Sequence, residues 1–174
     1  MPGPAPLNAH DRARRLRYQL ALDRLDVEHN PRYQPNRLGQ GETYCNLFVA
    51  DATASLGAPI PLYVLDEAGD KRWLGVEAML DWVRQHPDRW RAFPAGEAQA
   101  LANRGVPVVA VWSNPGSIGH MAMVRPGPEP PLAGGPRIAH AGAASANDTD
   151  AAAGFGGEAR RREIMYFAAV LGDS

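Results

Sequence analysis

TYCNLFVADATASLG, residues 43–57, holds the one cysteine of the chain at its front. Leu47, Phe48, Ala52 and Leu56 fall at helical intervals, and Gly57 followed by Pro59 stops the run. The spacing therefore predicts a helix that begins near Cys45. Unpaired backbone N–H groups and the helix dipole favour negative charge at such a position, which predicts a lowered thiol pKa and a reactive thiolate. The same N–H groups, that of Cys45 included, would line an oxyanion hole for acyl transfer. A free cysteine is also among the most often buried residues and commonly acts as a small hydrophobe. Position alone leaves the nucleophile and the core-filling reading equally open.

Outward from this helix, the pattern is helices first and strands afterwards. Residues 1–9 are rich in Pro and Ala and are expected to fray. Residues 12–25 place Leu16, Leu20, Leu22 and Leu25 on one helical face, and HNPRYQPNRLGQGETY, residues 29–44, reads as a loop leading to Cys45. GVEAMLDWVRQHP predicts a helix with a stripe of Val76, Met79, Leu80 and Val83, and AGEAQALANRG a shorter one ending at Gly105. VPVVAVW, HMAMV, RIAHAG and EIMYFAAVL then read as four strands. The turn SNPGSIG, the Pro- and Gly-dense loop RPGPEPPLAGGP and a mobile Ala/Asn/Asp/Gly segment separate them. The expected class is α+β, with helices packed on an antiparallel sheet.

At 174 residues the chain suits one domain with a single core, so residues 1–174 are read as one unit. A net charge of -1, with positive residues scattered apart from runs such as Arg160-Arg161-Arg162, argues against a nucleic-acid partner. One cysteine forms no internal disulfide, and no Cys/His set at zinc-ligand spacing accompanies it. No metal or organic cofactor is expected. The N-terminus lacks the apolar stretch of a secretory signal, and no apolar run is long enough to span a bilayer. As written, the sequence reads as a soluble cytosolic product without membrane insertion, a compartment where a lone thiol stays reduced.

His120 strengthens the nucleophile reading. It follows a turn and opens an alternating strand, where a general base for a thiol can project toward a second element. His140, on the next expected strand, is the natural orienting residue, provided that HMAMV and RIAHAG pair across the intervening loop with both histidines on one face. Asn147 and Asp148 compete for that role from the segment expected to be mobile. His10 and His29 lie in or near loops, and His86 precedes Pro87 at a helix end. Asp51, further along the cysteine helix, is read as solvated or structurally hydrogen-bonded. Trp73, Trp82, Trp90 and Trp112 are read as core or pocket wall rather than a nucleotide-stacking platform.

TYCNLFVADATASLG, the distant GHMAMVRPG and then RIAHAG together resemble the papain-like cysteine hydrolases of bacterial cell-wall metabolism, the NlpC-type endopeptidases and CHAP amidases. In those families a cysteine opens a helix, a Gly-His pair opens the first strand of the catalytic half, and a polar residue, often His, sits on the next strand. The likeness covers about residues 30–170 and implies a papain-like fold with Cys45, His120 and His140 as catalytic residues. It also implies site roles for Tyr33, twelve positions before Cys45, and for Gln40, where relatives place a glutamine that binds the oxyanion. Tyr44 and Asn46, which flank the cysteine, join them as candidate substrate-binding or oxyanion residues, though each of the four can equally be an ordinary loop or helix residue. The chain departs from the NlpC pattern in reading Tyr44-Cys45-Asn46-Leu47 where Asp-Cys-Ser-Gly is usual, and residues 57–105 form a helical insertion beyond a minimal catalytic core.

The resemblance implies cleavage of an amide bond in peptidoglycan through an acyl-enzyme, by an endopeptidase or amidase. It also implies action in the periplasm or cell wall, in another cell where a specialised secretion apparatus delivers the chain. A type VI secretion effector with a cognate immunity protein, or a phage lysin released through a holin, fits that route. Two alternatives stand beside it: a thiol acyltransferase, deamidase or protease acting on a protein, and a non-catalytic binding module with an inert cysteine.

Overall fold

The structure is a computed structural model that describes residues 6–128 and 133–172. Its first helix, α1 (Ala9–Leu25), begins where the Asn8 carboxamide accepts the Asp11 N–H at 2.8 Å. The fraying expected over residues 1–9 thus stops short of this cap, and residues 1–5 lie outside the described residues. Only half of the expected leucine stripe faces inward: Leu22 is buried and Leu25 packs against the core, but Leu16 and Leu20 are 56% and 42% exposed. Asp11 and Tyr18 complete the inward face. The Tyr18 hydroxyl donates to the Val124 carbonyl and accepts the Val108 N–H at 3.2 Å, bridging two strands of the sheet. A phenol with a buried hydroxyl partner outcompetes leucine for this position, a choice that hydrophobicity counting does not see. Tyr18→Phe is expected to lower stability by about 1–3 kcal/mol, a fall in Tm of about 2–12 °C in a thermal melt, because the bridge is lost.

A short 3-10 turn, Pro31–Tyr33, precedes α2 (Cys45–Ser55). This helix starts and stops as its sequence predicts. Gly57, at φ +75°, continues the chain in the left-handed region, and the Ala58 N–H returns to the Thr53 carbonyl at 3.0 Å. Leu47, Phe48, Val49, Ala50, Ala52 and Thr53 are all buried, so α2 runs through the interior rather than along its surface. Full burial of Phe48 alone contributes about 2–3 kcal/mol.

The stretch 57–105 contains the two expected helices, α3 (Val76–Gln85) and α4 (Ala95–Asn103), but is not purely helical. It also holds a small hairpin, β1 (Tyr63–Leu65) with β2 (Lys71–Trp73), and an edge strand of the main sheet, β3 (Trp90–Phe93). In α3 the residues Met79, Leu80 and Val83 are fully buried, as their spacing requires. Gly105, at φ +77°, passes so close to α1 that a Cβ would overlap Arg14.

The strands β4 (Val108–Trp112), β5 (His120–Val124), β6 (Arg137–His140), β7 (Ala146–Asp150) and β8 (Met165–Ala169) complete the sheet. Two short helices, α5 (Ala151–Phe155) and α6 (Glu158–Arg161), lie between β7 and β8. The sheet has six strands in the order β3-β8-β4-β5-β6-β7, and every neighbouring pair is antiparallel. The fold is α+β. Residues Val108 to Val111 and Met121 to Val124 are fully buried on both faces, so the core sits around β4 and β5, and α2 packs directly on β5. Residues 129–132 of the Pro- and Gly-dense loop lie outside the described residues.

The strand β7, ANDTD, falls in the segment expected to be mobile. It is held by polar contacts: the Asn147 N–H donates to Glu28 at 2.8 Å, its amide to Asp26 at 2.7 Å, and Arg125 donates to its carbonyl.

Candidate functional site

The loop before α2 is organised by one carboxylate. Glu42 accepts from the backbone N–H groups of Leu38 at 2.5 Å and Gln40 at 3.1 Å and from the Tyr44 hydroxyl at 2.9 Å. The Leu38 amide, chief among these donors, holds its pKa down at about 2. With its side chain committed to Glu42 and its ring under Arg37 at 4.2 Å, Tyr44 sits at the N-cap without capping the helix. No side chain accepts from the first turn of α2, whose first internal bond runs from the Phe48 N–H to Tyr44. The leading N–H groups of Cys45 and Asn46 therefore have no side-chain cap.

Cys45 is the first residue of α2, as expected, and its thiol lies against the start of β5 with the Met121, Asn46 and Cys45 amides turned toward the sulfur. The expected lowering of its pKa does not follow. The residue is 3% exposed, and burial pushes the thiol up despite those amides. Desolvation of a thiolate costs more here than three backbone dipoles return.

Strands β5 and β6 pair as neighbours through Met123↔Ala139 and Val124↔Ile138. Continuing that register places residue 142 opposite His120, which makes His140 its diagonal neighbour on the same face. The two rings meet edge to face at 5.1 Å, with His120 Nε2 3.0 Å from His140 Nδ1. Phe155 covers His120 from the other side at 4.9 Å. Burial, then His140 and Arg160, depress the His120 pKa to about 3, and burial lowers that of His140. Both imidazoles are neutral at physiological pH, and one proton lies between them. When His120 donates it from Nε2, the Nδ1 lone pair is left to accept a proton. Among the described residues, no hydrogen bond joins the Cys45 thiol to either imidazole.

The pair opens onto a cleft of about 440 Å³. Trp112, Phe155 and Arg160 wall it, the small residues 142–144 line it, and Thr43 comes from the loop before α2. Gly154 packs closely there: a Cβ would meet the end of the Ile138 side chain and crowd the His140 ring at 3.3 Å. Arg160, Phe155 and Gly154 carry no signal in the sequence, because the two short helices that present them have no hydrophobic period of their own.

The other candidates go elsewhere. Asn147 and Asp148 are spent on Asp26 and Arg137, which leaves His140 as the partner of His120. Tyr33 is buried edge-on against Phe48 and donates to Asp51 at 2.7 Å, and Asp51 also pairs with Arg32. That ion pair and hydrogen bond are the structural role expected of Asp51. The Asn46 amide donates to the Leu74 carbonyl at 2.9 Å, and Gln40 is exposed on the Glu42-organised loop. None of Tyr33, Gln40, Tyr44 and Asn46 lines the cleft with its side chain. His29 pairs with Asp26, and His86 bonds the Trp82 carbonyl. Of the tryptophans, Trp90 is core and Trp112 cleft wall, whereas Trp73 is 64% exposed on the hairpin against Tyr63.

No protein-family model matches the chain, and no curated protein matches it. No described helix is long and apolar enough to cross a membrane. Among the described residues, no three His, Cys, Asp or Glu side chains stand close enough to hold a metal ion.

Proposed function

We propose that the chain is a papain-like cysteine hydrolase that cleaves an amide bond in peptidoglycan through an acyl-enzyme. The observation that carries this reading is the 3.0 Å contact between His120 Nε2 and His140 Nδ1 on the strand pair against which Cys45 packs. His120 takes the thiol proton at Nδ1 as Cys45 attacks the carbonyl carbon, and His140 holds the ring in that tautomer. The uncapped N–H groups of Cys45 and Asn46 hold the oxyanion, His120 returns the proton to the leaving amine, and water releases the acyl group. Thiol and imidazole are both shifted toward their neutral forms, so proton transfer accompanies attack instead of preceding it as a resident ion pair. In this reading the chain acts in the periplasm or cell wall after specialised delivery, with an immunity protein as a natural partner.

Incubation of purified sacculi with the protein tests the reading. The expected result is soluble fragments whose masses reveal a new amine and a new carboxylate, with no release by Cys45→Ala. Sacculi that stay intact, or a Cys45→Ala protein as active as wild type, would overturn it.

One observation favours a second reading, a non-catalytic module with an inert cysteine: the thiol is 3% exposed and its pKa is raised. Iodoacetamide separates the two. A binding module leaves Cys45 unlabelled in the folded state even when a peptidoglycan-derived peptide is added, whereas a hydrolase exposes the thiol to substrate and shows protection from, or acylation of, the labelled position.

A further inference from the structure

We propose that Arg160 makes the cleft selective for a substrate that carries a carboxylate close to the scissile amide. This rests on the hydrolase reading above and names the substrate class of the same site.

Besides its histidines, the cleft is lined mainly by small residues: residues 142–144 and 153–154 are all Gly or Ala, joined by Ser145 and two threonines. Among the described residues its lining includes no Asp or Glu, and Arg160 is the one permanently charged side chain. Its guanidinium carbon lies over the Trp112 ring, 4.5 Å from the centroid, and the Trp112 indole N–H donates to Glu163 at 2.9 Å. The neighbouring carboxylates are already engaged. Glu158 pairs with Arg161 at 2.7 Å, and Asp150 caps α5 by accepting the Ala153 N–H at 2.8 Å. Among the described residues Arg160 has no ion-pair partner.

A guanidinium held over an indole face still has edge donors that can meet a carboxylate bidentately. Stacking also removes the rotamer freedom that a surface arginine would lose on binding. Arg160 is near enough to His120 for its charge to act on that ring. A carboxylate bound by the arginine would share the cleft with His120 and His140. It would also offset the positive field at His120 and ease formation of the imidazolium in the transition state.

The test uses one set of muropeptides with their carboxylates free and the same set converted to amides with carbodiimide and ammonia. The expected wild-type preference for the free acids is about 10- to 100-fold in kcat/KM, carried mainly by KM. Arg160→Gln brings that ratio close to one, and Arg160→Lys restores part of it. A purely structural arginine would change rate or melting temperature and leave the ratio alone. In parallel, the Cys45→Ala protein is titrated with both ligand sets by calorimetry, and the same preference is expected in binding. Wild-type cleavage of both sets at equal rates through Cys45 would overturn the carboxylate assignment and leave the hydrolase reading standing. Preferential binding of free acids without cleavage would sink the hydrolase reading and keep the site. Equal or absent binding of both sets would overturn the site.

Discussion

Cys45→Ala is expected to bring muropeptide release down to background, and His120→Ala to slow it by about 10²- to 10⁴-fold, the range that follows loss of a general base. The two effects are not additive, because each removes a member of one proton-transfer unit, so the double variant is no slower than Cys45→Ala. Both proteins should fold. Cys45→Ala removes one small buried side chain and is expected to cost about 1 kcal/mol, an ordinary value for a single substitution. His120→Ala leaves His140 with an unpaired Nδ1 but retains the sheet pairing of β5 with β4 and β6. Initial rates of fragment release, with Tm measured alongside, check both. Wild-type rates in the His120→Ala protein would remove His120 from the mechanism.

The buried histidine pair makes stability depend on acid. The His120 pKa lies at about 3 in the folded protein against about 6.5 in an unfolded chain, and that of His140 is also lowered. Between those values the unfolded chain binds a proton that the folded one refuses. Stability contributed by the neutral pair is thus fully present above about pH 6.5 and falls as pH drops toward about 3. For His120 the slope approaches about 1.4 kcal/mol per pH unit while the two states differ by a full proton, and His140 acts in the same direction. Melting curves from pH 7.5 to 4 should show this decline, and His120→Asn should flatten it. An unchanged slope in His120→Asn would mean that the ring is not held neutral. The same cause predicts activity without an acid limb near pH 6.5, since His120 already carries a free lone pair well below that pH.

Much of the fold was legible because its signals are local. Gly57 and Pro59 end α2, the stripe of Met79, Leu80 and Val83 marks α3, and alternation in His120–Val124 marks β5. Pairing of β5 with β6, and with it the meeting of His120 and His140, followed from their order and a Pro-rich connection. What escaped depends on partners distant in sequence. β7 has no apolar alternation because it is a sheet edge held by Asp26, Glu28 and Arg125. β3 is only four residues long, with its two middle residues exposed. The inward face of α1 is set by a hydroxyl that reaches two strands some ninety residues away. The sign of the Cys45 shift was missed for a related reason: a helix start is visible in sequence, whereas the closing of β5 over the sulfur is not. Arg160 was visible only as part of a basic run, with nothing to separate it from Arg161, which is spent on Glu158.

The strand order also sets a timetable for folding. β8 is the last of the described strands along the chain, yet it lies between β3 and β4 and is hydrogen-bonded to both. Until residues 165–169 are in place, β3 has no neighbour in the sheet, and β4, whose residues end up fully buried, has one bare edge. Closure requires contacts between segments far apart along the chain, a class of event that is slow and that waits for the C-terminal segment. A chain that lacks β8 would keep β4, β5 and β6 but lose the strand that joins β3 to them. The pairing of β5 with β6, which brings His120 beside His140, does not involve β8, so what depends on residues 165–169 is the β3 side of the sheet.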